Sequence, residues 1–149
     1  MKLEEKFNTN VQNFEIMLYA KDIVSLGMYR SICYNINDHT SYRINLIPID
    51  DIQESFNKIE KDKGIDVFII DHTIPKLKFI NMEKKFYEMY PEMHIIINSD
   101  EGFKHIYRIS EKFKCIEHMN IRKDKFAMDF SNFIVHLLEK MESEERGDT

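Results

Sequence analysis

Residues 65–75 read Ile-Asp-Val-Phe-Ile-Ile-Asp-His-Thr-Ile-Pro, an apolar run ended by an acid, Asp71, with proline four residues later. A short stretch rich in Val, Ile and Phe between Gly64 and Pro75 predicts a strand covered on both faces, as strands are inside a parallel sheet. Asp71 falls at the carboxyl end of this strand. In open α/β sheets ligands bind beyond the carboxyl ends of the strands, so an acid there is a site candidate. The plainer alternative is an acid that ends the strand and turns the chain.

The rest of the chain alternates strand and helix patterns. A strand over 14–20 precedes a helix from Asp22 to about Asn37, with Ile23, Leu26, Ile32, Cys33 and Ile36 as its apolar positions. A second strand over 42–49 leads to a helix capped by Asp50 or Asp51 and carrying Ile52, Phe56 and Ile59 at helical spacing. After the third strand, Phe79, Met82, Phe86 and Met89 mark a helix that Pro91 ends before a fourth strand, 94–98. A helix over 100–113, a strand over 115–121 and a last helix over 124–141 complete five β/α units. Alternating units need crossover connections, and right-handed crossovers set helices on both faces of a parallel sheet. The expected class is a three-layer α/β/α sandwich in one domain, residues 13–141, with a flexible extension 1–12 and an acidic tail 142–149.

Composition removes several functions. At 149 residues, 43% hydrophobic and 32% charged, there is room for one core. A net charge of -5 with Lys and Arg interspersed among acids gives no nucleic-acid footprint. No apolar stretch approaches the roughly 20 residues that span a bilayer, and the start lacks a secretory core, so no membrane partner and a cytoplasmic location are expected. Cys33 and Cys115 have no metal-type spacing and read as core residues. The chain has four glycines and neither Gly-x-Gly-x-x-Gly nor Gly-x-x-x-x-Gly-Lys, which disfavours nucleotide binding. Histidines 39, 72, 94, 105, 118 and 136 show no paired ligand spacing, and alternation points His72 away from its neighbour Asp71. Ser99 and His72 lack any triad context, so no enzyme is expected.

Five β/α units over residues 14–141, Asp71 with Pro75 four residues on, and Ser99 ending the fourth strand resemble the response-regulator receiver domain. The resemblance implies a flavodoxin-like sheet of strand order 2-1-3-4-5, with Asp71 as phosphoacceptor for a sensor kinase's histidine. It implies that Ser99 turns toward the phosphoryl group, and that a lysine ending the fifth strand contacts it. Ile121 aligns with that lysine; Lys123 lies two residues on, on the same face if the strand extends. An inward-moving aromatic of the fifth strand has only His118 in its place.

The departures bear on chemistry. Receivers end their first strand with two acids that hold a divalent cation, because phosphoryl transfer to a carboxylate crowds negative charge. Here those positions are Ala20 and Lys21. Neither a methyl nor an ammonium serves as a hard oxygen ligand, which leaves Asp22 as the one acid that a shifted register brings in, while such a shift turns side chains to the opposite face. Lys21 either pairs with Asp71 in place of a metal or is solvated. The expectation is an atypical, stand-alone receiver of two-component phosphorelay signalling that acts by protein contacts and needs no cofactor. The alternative is a Mg2+-dependent phosphoacceptor using Asp22 and Asp71. Partners follow as a sensor kinase or downstream signalling protein, or a second copy held through the fourth and fifth helices. On those helices Phe103, Tyr107, Phe126 and Phe133 are the candidate contact residues, against the alternative that all are buried.

Overall fold

The computed structural model of the chain describes residues 12–20, 22–62, 64–71, 81–82, 84–86, 88, 93–98, 116–119 and 126–145. Strands β1 (Gln12–Ala20), β2 (Tyr42–Ile49), β3 (Val67–Asp71), β4 (His94–Asn98) and β5 (Ile116–Met119) form one five-stranded sheet, ordered β2-β1-β3-β4-β5. Every pairing is parallel, as the alternation of strand and helix patterns predicts, and the order is the one the receiver resemblance implies. Helices α1 (Ile23–His39), α2 (Ile52–Asp62) and α3 (Phe126–Glu145) are accompanied by helical residues among 81–88.

Two apolar clusters, one per sheet face, make the outer layers. Alternation along each strand sorts the residues. Ile16 and Leu18 of β1 and Val67 and Ile69 of β3 face α1 and α3, where they meet Tyr29, Ile32, Ile36, Phe130, Ile134 and Leu138. Met17, Phe68 and Ile70 face the other way, onto Phe56 of α2 and Met82 and Phe86. Tyr29 meets Phe130 edge-on at 5.3 Å, which ties α1 to α3. Phe56 stacks on Phe86 at 4.5 Å, Phe68 meets Phe86 edge-on at 5.3 Å, and the Lys85 ammonium lies 4.2 Å over the Phe56 ring. The β3 run is buried along its whole length, as a strand covered on both faces must be.

The sheet's amino edge carries a polar lock. The Glu15 and Asp66 backbones bond directly, Asp66 N–H donating to Glu15 O at 2.9 Å, while Glu15 N–H donates to Asp66 Oδ2 at 2.8 Å. His94 N–H donates to Asp66 O at 3.1 Å, and the Asn45 amide donates to Glu15 Oε2 at 2.6 Å. Four adjacent strands are thus joined along one line, which helps to fix their register.

Some boundaries and one helix phase differ from the sequence expectation. Gln12, assigned to the flexible extension, opens β1 opposite Tyr42, and α3 continues to Glu145 rather than ending at Met141. Helix α1 runs two residues past Asn37 to His39, where Thr40 N–H and Oγ1 both donate to Ile36 O. Arg43 Nη1 then donates to Asn37 O and Thr40 O at 2.8 and 3.3 Å, supplying donors to the exposed helix end. The buried stripe of α1 is Ser25, Tyr29, Ile32, Cys33 and Ile36. Ile23, expected in that stripe, is 82% exposed. At 3.6 residues per turn it lies about 200° around the helix from Ser25, so a phase set by Tyr29 and Ile36 turns it to water.

Two predictions test this packing. A Cβ built on Gly27, mid-helix on the exposed side of α1, meets nothing within 4 Å. Gly27→Ala is expected to raise stability by about 0.5–1 kcal/mol in urea unfolding, since only backbone entropy changes. Burial raises the Cys33 thiol from 9.0 to about 12, so the fold favours its protonated form. That contribution is complete below the unfolded value of 9.0 and is lost as pH rises through about 12. In a Cys115→Ser background, Cys33 is expected to resist alkylation at neutral pH until denaturant is added.

Candidate functional site

The site is assembled where β1 and β3 end side by side. Their ladder pairs Ile16 with Val67, Leu18 with Ile69 and Ala20 with Asp71. Paired residues of a parallel ladder project from the same face, and Ala20 packs on the cluster beneath α1 and α3, so Asp71 shares that face by alternation from Ile69. Asp71 is 1% exposed at the end of a strand whose other four residues are apolar and buried. A carboxylate this deep is costly unless its surroundings compensate, which marks it as a residue held for a purpose beyond packing.

The neighbour of Asp71 on β1 is therefore a methyl group. Ala20 offers no donor or acceptor atom. Lys21 lies outside the described residues, as do Ser99, Lys123 and His72. Phe103 and Tyr107 also lie outside them, and Phe126 is described only as the first residue of α3. Phe133 is half-buried, packed on the α1 and α3 cluster with its ring 6.4 Å from that of Phe130. Among the described side chains of α3, Met128 is the exposed large apolar one.

Asp22 is the acid on which a metal-dependent reading depends. It stands in extended conformation ahead of α1, and its Oδ1 accepts the Ser25 N–H at 2.8 Å while its carbonyl accepts the Leu26 N–H at 3.1 Å. That is an N-cap: the carboxylate satisfies an otherwise open helix amide and complements the positive end of the helix dipole. It follows Ala20 by two positions, at the point where the chain has left the sheet. Among the described residues no group of three or more His, Cys, Asp or Glu side chains is arranged to hold a metal ion. No helix among them is long and apolar enough to cross a membrane.

Neither a family model nor a curated protein matches the chain in sequence. Solved structures match it in fold. It superimposes on the signal receiver domain of an HD domain-containing protein from Pseudomonas fluorescens with a TM-score of 0.67, at 15% identity, over 91% of this chain and 94% of that one. A response regulator receiver domain from Clostridium thermocellum gives 0.67 at 15% identity over 87% and 97% of the two chains. One from Methanospirillum hungatei gives 0.68 at 16% identity over 89% and 99%. These likenesses establish the receiver fold.

The capping role of Asp22 is testable by itself. Asp22→Ala is expected to lower stability by about 1 kcal/mol in chemical denaturation, and Asp22→Asn by less, because an amide oxygen still accepts the Ser25 N–H.

Proposed function

We propose that this chain is an atypical receiver of two-component signal transduction that works through protein contacts, with phosphoryl transfer to Asp71 weakened or lost. The observation that carries the reading is the pairing of Ala20 with Asp71. A phosphoryl group arriving on a buried carboxylate brings further negative charge into a site of low polarisability, and a divalent cation held by several hard oxygens is what offsets it. Magnesium would take oxygens from Asp71 and from the strand beside it. Ala20 contributes none, and one oxygen of the Asp22 carboxylate already accepts the Ser25 N–H of α1. The donor set does not fit the ion.

The residues keep what a contact module requires. Asp71 remains as a buried polar group at the functional edge, and both faces of the sheet retain dense cores that hold the surface helices in fixed positions. A signalling partner then reads the shape of this surface, and the domain needs no cofactor to present it. The kinase and output proteins typical of two-component systems are the partner class this reading names.

Incubation with acetyl phosphate, with and without Mg2+, followed by intact mass measurement, separates the readings. No phosphate adduct is expected on the native chain. The variant carrying Ala20→Asp and Lys21→Asp restores two acids at the end of β1 and is expected to gain a Mg2+-dependent adduct that Asp71→Asn removes. A Mg2+-dependent adduct on the native chain, absent from Asp71→Asn, would make this protein a phosphoacceptor and overturn the proposal.

A further inference from the structure

Among the described strands β2 is the outer one beside β1, and an outer strand of eight residues is a template on which another strand can pair. Alternation turns the N–H and C=O of every second residue of β2 away from β1. Tyr42, Ile44, Leu46 and Pro48 form that outward set, because the Ile44 amide and carbonyl both meet the side chain of Asn37. Asn37 lies in the last turn of α1, half-buried. Its Oδ1 accepts the Ile44 N–H at 2.6 Å, and its Nδ2 donates to Ile44 O at 3.1 Å. One side-chain amide thus satisfies both polar groups of one residue, as the backbone of a neighbouring strand would.

The positions on either side are treated alike. Tyr42 N–H donates to Thr40 Oγ1 at 3.1 Å, and Tyr42 O accepts from Arg43 Nη1 at 2.9 Å. Pro48 has no N–H to offer a further strand. Charge does not oppose self-pairing of this edge. A two-fold axis beside Ile44 would set two copies of β2 antiparallel, each Ile44 exchanging both bonds with Ile44 of the other copy. Tyr42 would then stand opposite Leu46 and Arg43 opposite Asn45, so no like charges meet. Tyr42, Ile44 and Leu46 all belong to the apolar face beneath α1, where such pairing would be favourable.

We propose that Asn37 guards this edge: its side-chain amide fills the hydrogen-bonding place through which a second copy of the chain would extend the sheet, with Thr40, Arg43 and Pro48 closing the positions beside it. Asparagine suits the task because it both donates and accepts, whereas aspartate would only accept and alanine would do neither. The sheet therefore stops at β2 through side-chain chemistry, although the strand itself has the length and the apolar face to continue pairing.

The test compares the full chain with Asn37→Ala and Asn37→Asp by sedimentation and by amide spectra over rising concentration. The native chain is expected to show no association through β2 up to about 1 mM. Its Ile44 amide, although outward, is expected to exchange with solvent as slowly as the inward amides of Arg43 and Asn45. Asn37→Ala is expected to dimerise, with concentration-dependent shifts at Tyr42, Ile44 and Leu46 and a dimerisation constant at least about tenfold tighter than any the native chain shows. Asn37→Asp keeps an oxygen for the Ile44 N–H and would bring two carboxylates together across the axis, so it is expected to stay monomeric. A bond that merely tied helix to strand would cost both variants stability and make a dimer of neither. A folded Asn37→Ala chain that stays monomeric, association that maps away from β2, equal association of both variants, or a native Ile44 amide that exchanges freely would each overturn the proposal. The exchange measurement needs no variant, so it decides the matter if alanine costs the fold.

Discussion

The register between β1 and β3 decides what this protein is able to do. It is held at the amino edge by the paired bonds of Glu15 and Asp66, and five residues further on the same register sets Ala20 against Asp71. Strand pairing has a period of two, so a slip of one residue would exchange every inward side chain for an outward one and empty both cores. The buried faces of β1 and β3 forbid that slip: Ile16, Met17 and Leu18 are all inaccessible to water, as are residues 67–70. The register thus fixes Ala20 as the β1 residue that stands beside Asp71.

Helix α1 shows the same economy of constraint. Its entry is fixed by the Asp22 cap, its phase by Tyr29 against Phe130, and its exit by Thr40 and Arg43. With both ends and the rotation determined, the residues left over face water: Ile23 and Val24 at the start, Gly27 in the middle and Tyr34 toward the end. An acid that a metal would need is committed to starting the helix, and two apolar residues that a core would use are left outside it. Both facts support the proposal that the domain works through its surface rather than through the carboxylate at the sheet's edge.

Local pattern carried most of the architecture. The unbroken apolar runs around Ile69 and Ile96 announced strands buried on both faces, and such strands require helices on either side, from which the layered parallel sheet follows. Alternation also carries Asp71 to the carboxyl edge, where sites are built. Helix phase was harder to read in α1, because Ile23 and Leu26 are apolar and Ser25 is not, yet Ser25 is the buried one. Composition along a helix names its inward face only when the stripe is unmistakable, and here an aromatic contact to a helix a hundred residues away overrode it. The start of β1 shifted for a related reason, since pairing with β2 continues to Gln12, a polar residue that suggested a loop.

The chain by itself thus determined the order of its strands and helices, the burial of β3 and the absence of acids at positions 20 and 21, because hydrophobic period and residue chemistry are local properties. The tertiary structure alone decided that Ala20 is the residue beside Asp71, that Asp22 caps a helix, and that Ile23 and Val24 stand in water at the start of that helix. Those are relations between residues far apart in sequence, set by register and by the angle at which a helix leaves its strand, and no periodicity in one segment encodes where another segment comes to rest.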